Sequence, residues 1–268
     1  MVSFLAPKRP QWFRGTVATA ILFTIVYAAW AWWTPWRAGR PGGLTFGTIG
    51  ALLFLNDGLY PLRRRLLAWP LGTAQRWLQL HIYGGVIAML CVFIHVGFSL
   101  PHGTIGWWLL GLSLWTTITG VFGSLLQKWI PTVVARSLRV EALAVRMPEL
   151  TARLVGEADA VMRGASDRLW ASYQSDIRPS LEHPEPAWAY VANVHAGRDR
   201  YAAPLAALDR AADPERLRNL RAILTEKAEL DIQLSLQRAL RAWLLLHVPP
   251  AIALLGLLAV HIFAVLYL

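Results

Sequence analysis

The sequence predicts an all-α fold: an integral membrane helical bundle of about five transmembrane helices, with a helical cytoplasmic insertion before the last. Three observations point there. The 268-residue chain is 56% hydrophobic and only 16% charged, with a mean hydropathy of +0.41, outside the balance of a soluble globular domain. Five apolar runs approach the length of about 20 residues that a bilayer requires. Asp57 apart, the charges lie between those runs rather than within them. The resulting organisation is four spans in 1–127, a cytoplasmic insertion over 128–241 and a fifth span over 242–268.

The first span, about 16–36, follows a basic start and ends among Trp30, Trp32, Trp33 and Trp36, as an interfacial aromatic belt does. Its Ala29-Trp30-Ala31 end imitates a cleavable signal, but the segment is expected to be retained. The second, about 43–62, is interrupted by Asn56 and Asp57, so a re-entrant segment competes with a full crossing. The third, about 77–100, and the fourth, about 105–127, are joined by the short loop 99–104, and Trp107 and Trp108 extend the belt. The last span, about 242–268, has Trp243 at its start.

The insertion reads as helical and auxiliary. Asp213, Pro214 and Glu215 supply a cap, a first-turn proline and an acid at the positive end of a helix. No Gly or Pro then intervenes before Pro249, so one long helix is expected to run into the last span. Its apolar positions, including Leu217, Leu220, Leu224, Leu230, Leu234 and Leu240, recur at steps of three and four, which suits packing against 133–154 or another subunit. The stretch 179–186 reads as loop, and His183 and His195 as surface residues.

The formal charge of +10 raises the question of nucleic acid, and its distribution answers it. Fifteen of sixteen acidic residues lie between Glu141 and Asp231, where sixteen Lys and Arg from Lys128 to Arg238 nearly balance them. Eight of the ten remaining Lys and Arg flank the apolar runs at Lys8, Arg9 and Arg14, at Arg63, Arg64 and Arg65, and at Arg76 and Arg241. That is a topology and anionic-lipid signal, and no nucleic-acid partner is expected. With the N-terminus cytoplasmic, a second crossing returns Arg63 to Arg65 inside, the insertion is cytoplasmic, and spans three and five run parallel. A bacterial inner membrane is the expected location.

Two histidine pairs then stand out. His81 and His95 lie fourteen residues apart in the third span, and His247 and His261 fourteen apart in the fifth. At about 1.5 Å and 100° per residue, fourteen positions advance about 21 Å and return to within about 40° of the same face. Parallel spans put His81 with His247 near the inner surface and His95 with His261 near the outer. Imidazole inside a bilayer is expensive and marks a proton path, a polar helix contact or a cofactor; it is also a good iron ligand. Two bis-histidine haems stacked across the membrane require this pattern, with His81 and His247 on the inner iron and His95 and His261 on the outer.

Other residues fit around it. Gly84 and Gly85 share the His81 face, as room for a flat macrocycle or as ordinary small-residue packing. Arg76 and Arg241 lie on the cytoplasmic side of the inner pair, suited to haem propionates or to topology anchoring. Pro249 and Pro250 should disturb the last helix next to His247. His102, in the outer loop, is a proton acceptor for a quinol or a solvated loop residue.

No Gly-rich dinucleotide fingerprint follows a strand, so hydride uptake from a pyridine nucleotide is not expected of this chain alone. Cys91 is the single cysteine, which excludes covalent haem attachment through Cys-x-x-Cys-His, iron–sulfur ligation within the chain and internal disulfides.

The runs HIYGGVIAMLCVFIHVGF and HVPPAIALLGLLAVHIF resemble the di-haem b-type membrane cytochromes, the group that includes respiratory cytochrome b and the transmembrane domains of ferric-reductase and NADPH-oxidase type proteins. The resemblance covers those two spans and implies His81, His95, His247 and His261 as axial ligands of two noncovalent haem b groups. The helical insertion and the lack of a nucleotide domain depart from the reductases. The resemblance implies an electron-transfer subunit rather than a complete enzyme. Electrons would pass between a quinone pool or cytoplasmic donor and another redox subunit, such as a cytochrome c or an iron–sulfur protein. A non-redox membrane anchor and a proton-conducting subunit are the alternatives.

Overall fold

Backbone groups in hydrocarbon have no water to bond, so long apolar segments satisfy them internally as helices. A computed structural model describes residues 10–61, 73–129, 140–183, 201, 205–206 and 213–267. Among these the regular structure is entirely helical: α1 (Pro10–Trp33), α2 (Pro41–Gly58), α3 (Ala74–His95), α4 (Thr104–Trp129), α5 (Val140–Met162), α6 (Asp167–Ser172), a π-helical turn (Tyr173–Ile177), α7 (Arg178–Glu182) and α8 (Pro214–Tyr267). Lys8, Arg9, Arg63 to Arg65, His195 and Pro184 to Pro186 lie outside the described residues.

Helices α1, α3, α4 and α8 are long and apolar enough to cross a membrane. The protein is an integral membrane protein, and exposed apolar side chains such as Ile21, Leu22, Ile25, Leu52 and Ile252 form its lipid-facing surface. Of the five expected spans, α2 alone falls short, because Asn56 and Asp57 occupy the end of its 18 residues.

The chain divides into two compact units, Met1–Trp129 with Trp243–Leu268, and Ile130–Ala242. In the first, α2 and α3 lie antiparallel at close range. A Cβ on Gly47 would meet His95, one on Gly50 would meet Cys91 and Ala88, and those on Gly84 and Gly85 would meet Asp57. Small residues permit that approach, which is how helices associate where no hydrophobic force distinguishes helix from lipid. Phe46, Ile87, Cys91 and Ile94 form one buried cluster, against which Ala20, Phe23 and Tyr27 of α1 pack. Phe54, Ala88 and Leu254 form a second with Val92, Leu109, Leu112 and Leu258, joining α2, α3, α4 and α8.

Helix α3 ends just past His95. Gly97 (φ 64°) and Phe98 (φ 56°) adopt the left-handed conformation, and the N–H groups of Phe98 and Gly97 close back on the Phe93 and Ile94 carbonyls in a Schellman arrangement. The indole N–H of Trp36 donates to the same Ile94 carbonyl at 2.7 Å.

Pro249 and Pro250 leave α8 continuous. Pro250 has no N–H for the carbonyl four residues earlier, and the Trp115 indole N–H donates to that carbonyl, Leu246 O, at 2.8 Å. The neighbouring helix thus supplies the bond that proline removes.

The second unit is built on α5, α6, α7 and the part of α8 up to Ala242. Leu154, Val155, Ala158 and Met162 of α5 join Leu217, Leu220, Leu224 and Ala228 of α8 in one core with Leu169, Tyr173, Ile177 and Leu181. Met147 packs with Leu234, and Arg153 pairs with Glu226. The leucine periodicity of α8 thus meets α5. Residues 179–182, read as loop from their prolines, continue a helix, because Pro179 sits in the first turn of α7, where no N–H is required. His183 is exposed beyond its end, with Nδ1 3.1 Å from the Pro179 carbonyl.

Candidate functional site

The four histidines meet as two pairs in the first unit. The rings of His81 and His247 have centroids 6.2 Å apart with planes at 84°, and those of His95 and His261 are 6.5 Å apart at 79°. Two imidazoles bound on opposite sides of one metal, with metal–nitrogen bonds of about 2 Å and each ring centre about 1.2 Å behind its nitrogen, have centroids about 6.4 Å apart. Both pairs therefore have the separation such a metal needs. Midway between them in sequence on α3 and α8 are Ala88 and Leu254, which pack with Phe54 as an apolar layer.

What engages Nδ1 decides whether Nε2 is available to a ligand. Nδ1 of His95 donates to the Gly43 carbonyl of α2 at 2.8 Å. Nδ1 of His247 lies 2.9 Å from Oγ1 of Thr119 on α4. The Thr119 hydroxyl spends its single proton on the Trp115 carbonyl at 2.8 Å, so it accepts from His247. In both rings Nδ1 carries the proton and Nε2 keeps its lone pair, the arrangement in which metal-bound histidines are held. His81 Nδ1 faces Asp57 Oδ1 at 3.8 Å.

Glycines bring the helices close enough for these contacts. A Cβ on Gly47 would lie 2.7 Å from His95 Nδ1, and one on Gly120 would lie 3.3 Å from His247 Cε1. Trp243 stacks on His247 at 5.7 Å and 20°, lies against Gly123, and donates its indole N–H to Thr119 O at 2.7 Å. Tyr60 stacks on His81 at 5.0 Å and 26°.

Of the remaining residues singled out from sequence, Gly84 and Gly85 adjoin the Asp57 carboxylate, which occupies the space above them. Arg76 is exposed in the first turn of α3, where Thr73 caps its backbone N–H, and it lines a groove with Trp12, Gly15, Thr16 and Tyr83. Arg241 is exposed and belongs to the second unit, and His102 is exposed between α3 and α4. Thr119, Gly47, Gly120, Tyr60 and the contact of Asp57 with His81 were not foreseen. One signal was present, the Gly43-Leu-Thr-Phe-Gly47 small-residue repeat, which marks a face for close helix packing.

Among the described residues no three His, Cys, Asp or Glu side chains gather as a cage for a bare metal ion. The donor set is two imidazoles per site, suited to a group that brings its other ligands with it. Comparison with protein-family models, with curated proteins and with solved structures finds no match to this chain.

Proposed function

We propose that the chain is a di-haem cytochrome b subunit, carrying electrons across the membrane between a quinone pool or cytoplasmic donor and a partner redox subunit. The observation that carries this is the geometry of the two histidine pairs, at 6.2 and 6.5 Å with steep interplanar angles. His81 and His247 would hold the inner haem, and His95 and His261 the outer. Bound there, haem b supplies one-electron exchange at two depths. The chain's own part is to fix the imidazoles. Gly43 O and Thr119 Oγ1 hold His95 and His247 by Nδ1, Trp243 and Tyr60 limit rotation of His247 and His81, and Phe54, Ala88 and Leu254 keep water from the space between the pairs.

Five crossings fit this reading. Although α2 is short and polar at one end, it lies alongside α3 from the level of His95 to that of Gly84, so it runs through the depth that separates the two pairs. The N-terminus and the insertion are then cytoplasmic, and a bacterial inner membrane is a compatible setting.

The purified full chain should show a reduced-minus-oxidised b-type spectrum with close to two noncovalent haems. Substituting His95 or His261 should remove one haem, and substituting His81 or His247 the other. A folded, colourless protein would eliminate the cytochrome reading. It would favour a proton-conducting subunit, for which the Asp57 and His81 contact within the bundle is the specific support.

A further inference from the structure

The two histidine pairs differ in what stands behind them. The known Nδ1 partner at the outer pair is a neutral backbone carbonyl, that of Gly43. The inner pair has a neutral hydroxyl behind His247 and a carboxyl group behind His81. Asp57 Oδ1 and His81 Nδ1 are both buried, neither has a hydrogen-bond partner among the described residues, and they lie 3.8 Å apart. Buried polar atoms without partners are costly, and at 3.8 Å these two face each other.

The surroundings are shaped for that carboxyl group. A Cβ on Gly85 would come within 3.1 Å of Asp57 Oδ2 and press on it, while one on Gly84 would make ordinary contact with Oδ1 at 3.4 Å. Tyr60, three residues beyond Asp57, stacks on the His81 ring and holds its plane. One segment, Asp57 to Tyr60, therefore faces His81 both at its edge and across its plane.

We infer that Asp57 is the positioning residue of the inner site. It accepts the Nδ1 proton of His81 and gives the inner pair an acidic partner where the outer pair has a neutral one, so that the two sites differ in potential. This rests on the di-haem reading. An acidic acceptor on Nδ1 makes the imidazole a stronger donor through Nε2, which stabilises the oxidised form of whatever iron it binds and lowers that site's potential. The inner site is then the more reducing of the two.

The test is a spectroelectrochemical titration of the full-length protein, wild type, Asp57→Asn and Asp57→Glu, with His81→Ala to mark which transition belongs to the inner site. Asp57→Asn should raise the inner potential alone and change the low-spin resonance signal of that haem, while Asp57→Glu stays close to wild type. If Asp57→Asn instead weakens inner haem binding by about 10- to 100-fold, with the outer haem kept and Asp57→Glu restoring it, positioning is equally supported. A wild type with two haems whose potentials Asp57→Asn leaves unmoved, or moves together, overturns this inference and spares the cytochrome. A wild type that binds no haem overturns both.

Discussion

Replacing Gly47 by alanine puts a methyl carbon 2.7 Å from Nδ1 of His95, about 0.7 Å inside the 3.4 Å at which ordinary contact begins. The ring has little freedom to yield along the helix, since α3 is closed just beyond it by Gly97 and Phe98 and clipped by Trp36. Moving the ring away by 0.7 Å would stretch its bond to Gly43 O from 2.8 to about 3.5 Å, the limit of a hydrogen bond. Overpacking of this kind costs about 1–3 kcal/mol, and the lost hydrogen bond about 0.5–1.5 kcal/mol more. Loss of a ligand's outer hydrogen bond typically weakens metal binding by about 10- to 100-fold. On the proposed di-haem reading, Gly47→Ala should therefore lose the outer haem selectively, measured as one haem per chain with the spectrum and potential of the inner site unchanged. Gly120→Ala is the graded control: its Cβ would lie 3.3 Å from His247 Cε1, so a shift of a few tenths of an ångström suffices and the inner site should weaken only slightly. A Gly47→Ala protein that keeps two haems at wild-type affinity, or that loses the inner one, would refute the claim that α2 orients His95.

On the same reading, Thr119→Val removes the acceptor of the His247 Nδ1 proton and should weaken binding of the proposed inner haem by about 10- to 100-fold, with Thr119→Ser retaining it; equal retention by both variants in haem titrations would count against the hydrogen bond. Trp115→Phe leaves the Leu246 carbonyl without the donor that replaces the missing Pro250 N–H, and should destabilise the fold by about 1–3 kcal/mol in detergent unfolding assays. In the second unit, Lys227 and Asp231 form a fully buried pair at 2.6 Å, so Lys227→Met should cost about 3–5 kcal/mol. Breaking the exposed Arg153 and Glu226 pair should cost under about 1 kcal/mol. Burial, together with its hydrogen bond to Asp159 at 2.7 Å, raises the Tyr173 phenol above its ordinary value of 10. A raised acid binds its proton more tightly folded than unfolded, so its contribution is whole below about pH 10 and is lost as pH rises beyond it. Tyr173→Phe should flatten that alkaline decline in thermal melts.

The helical architecture and its membrane setting were legible in the residues themselves. Apolar runs of sufficient length permit only helices in hydrocarbon, and α1, α3, α4 and α8 appear where those runs lie. The Asp213-Pro214-Glu215 start likewise opens α8 at Pro214, because cap chemistry is local. Where the sequence misled, the information was positional. Pro179 read as part of a loop, yet it sits in a first turn; at 249–250, where a disturbance was expected, α8 runs on unbroken beside a tryptophan that replaces the lost bond. Polar residues at the end of α2 weakened it as a span, yet Asp57 faces His81 across the α2 and α3 interface.

Periodicity along one helix determined, from sequence alone, that His81 and His95 share a face and that His247 and His261 do likewise. Only the tertiary structure decided that these faces meet at 6.2 and 6.5 Å, and that Gly43, Thr119 and Asp57 stand behind three of the rings. The physical reason is that rise and twist per residue are properties of a single helix. The rotation and register of one helix against another are set instead by which small residues let the backbones approach.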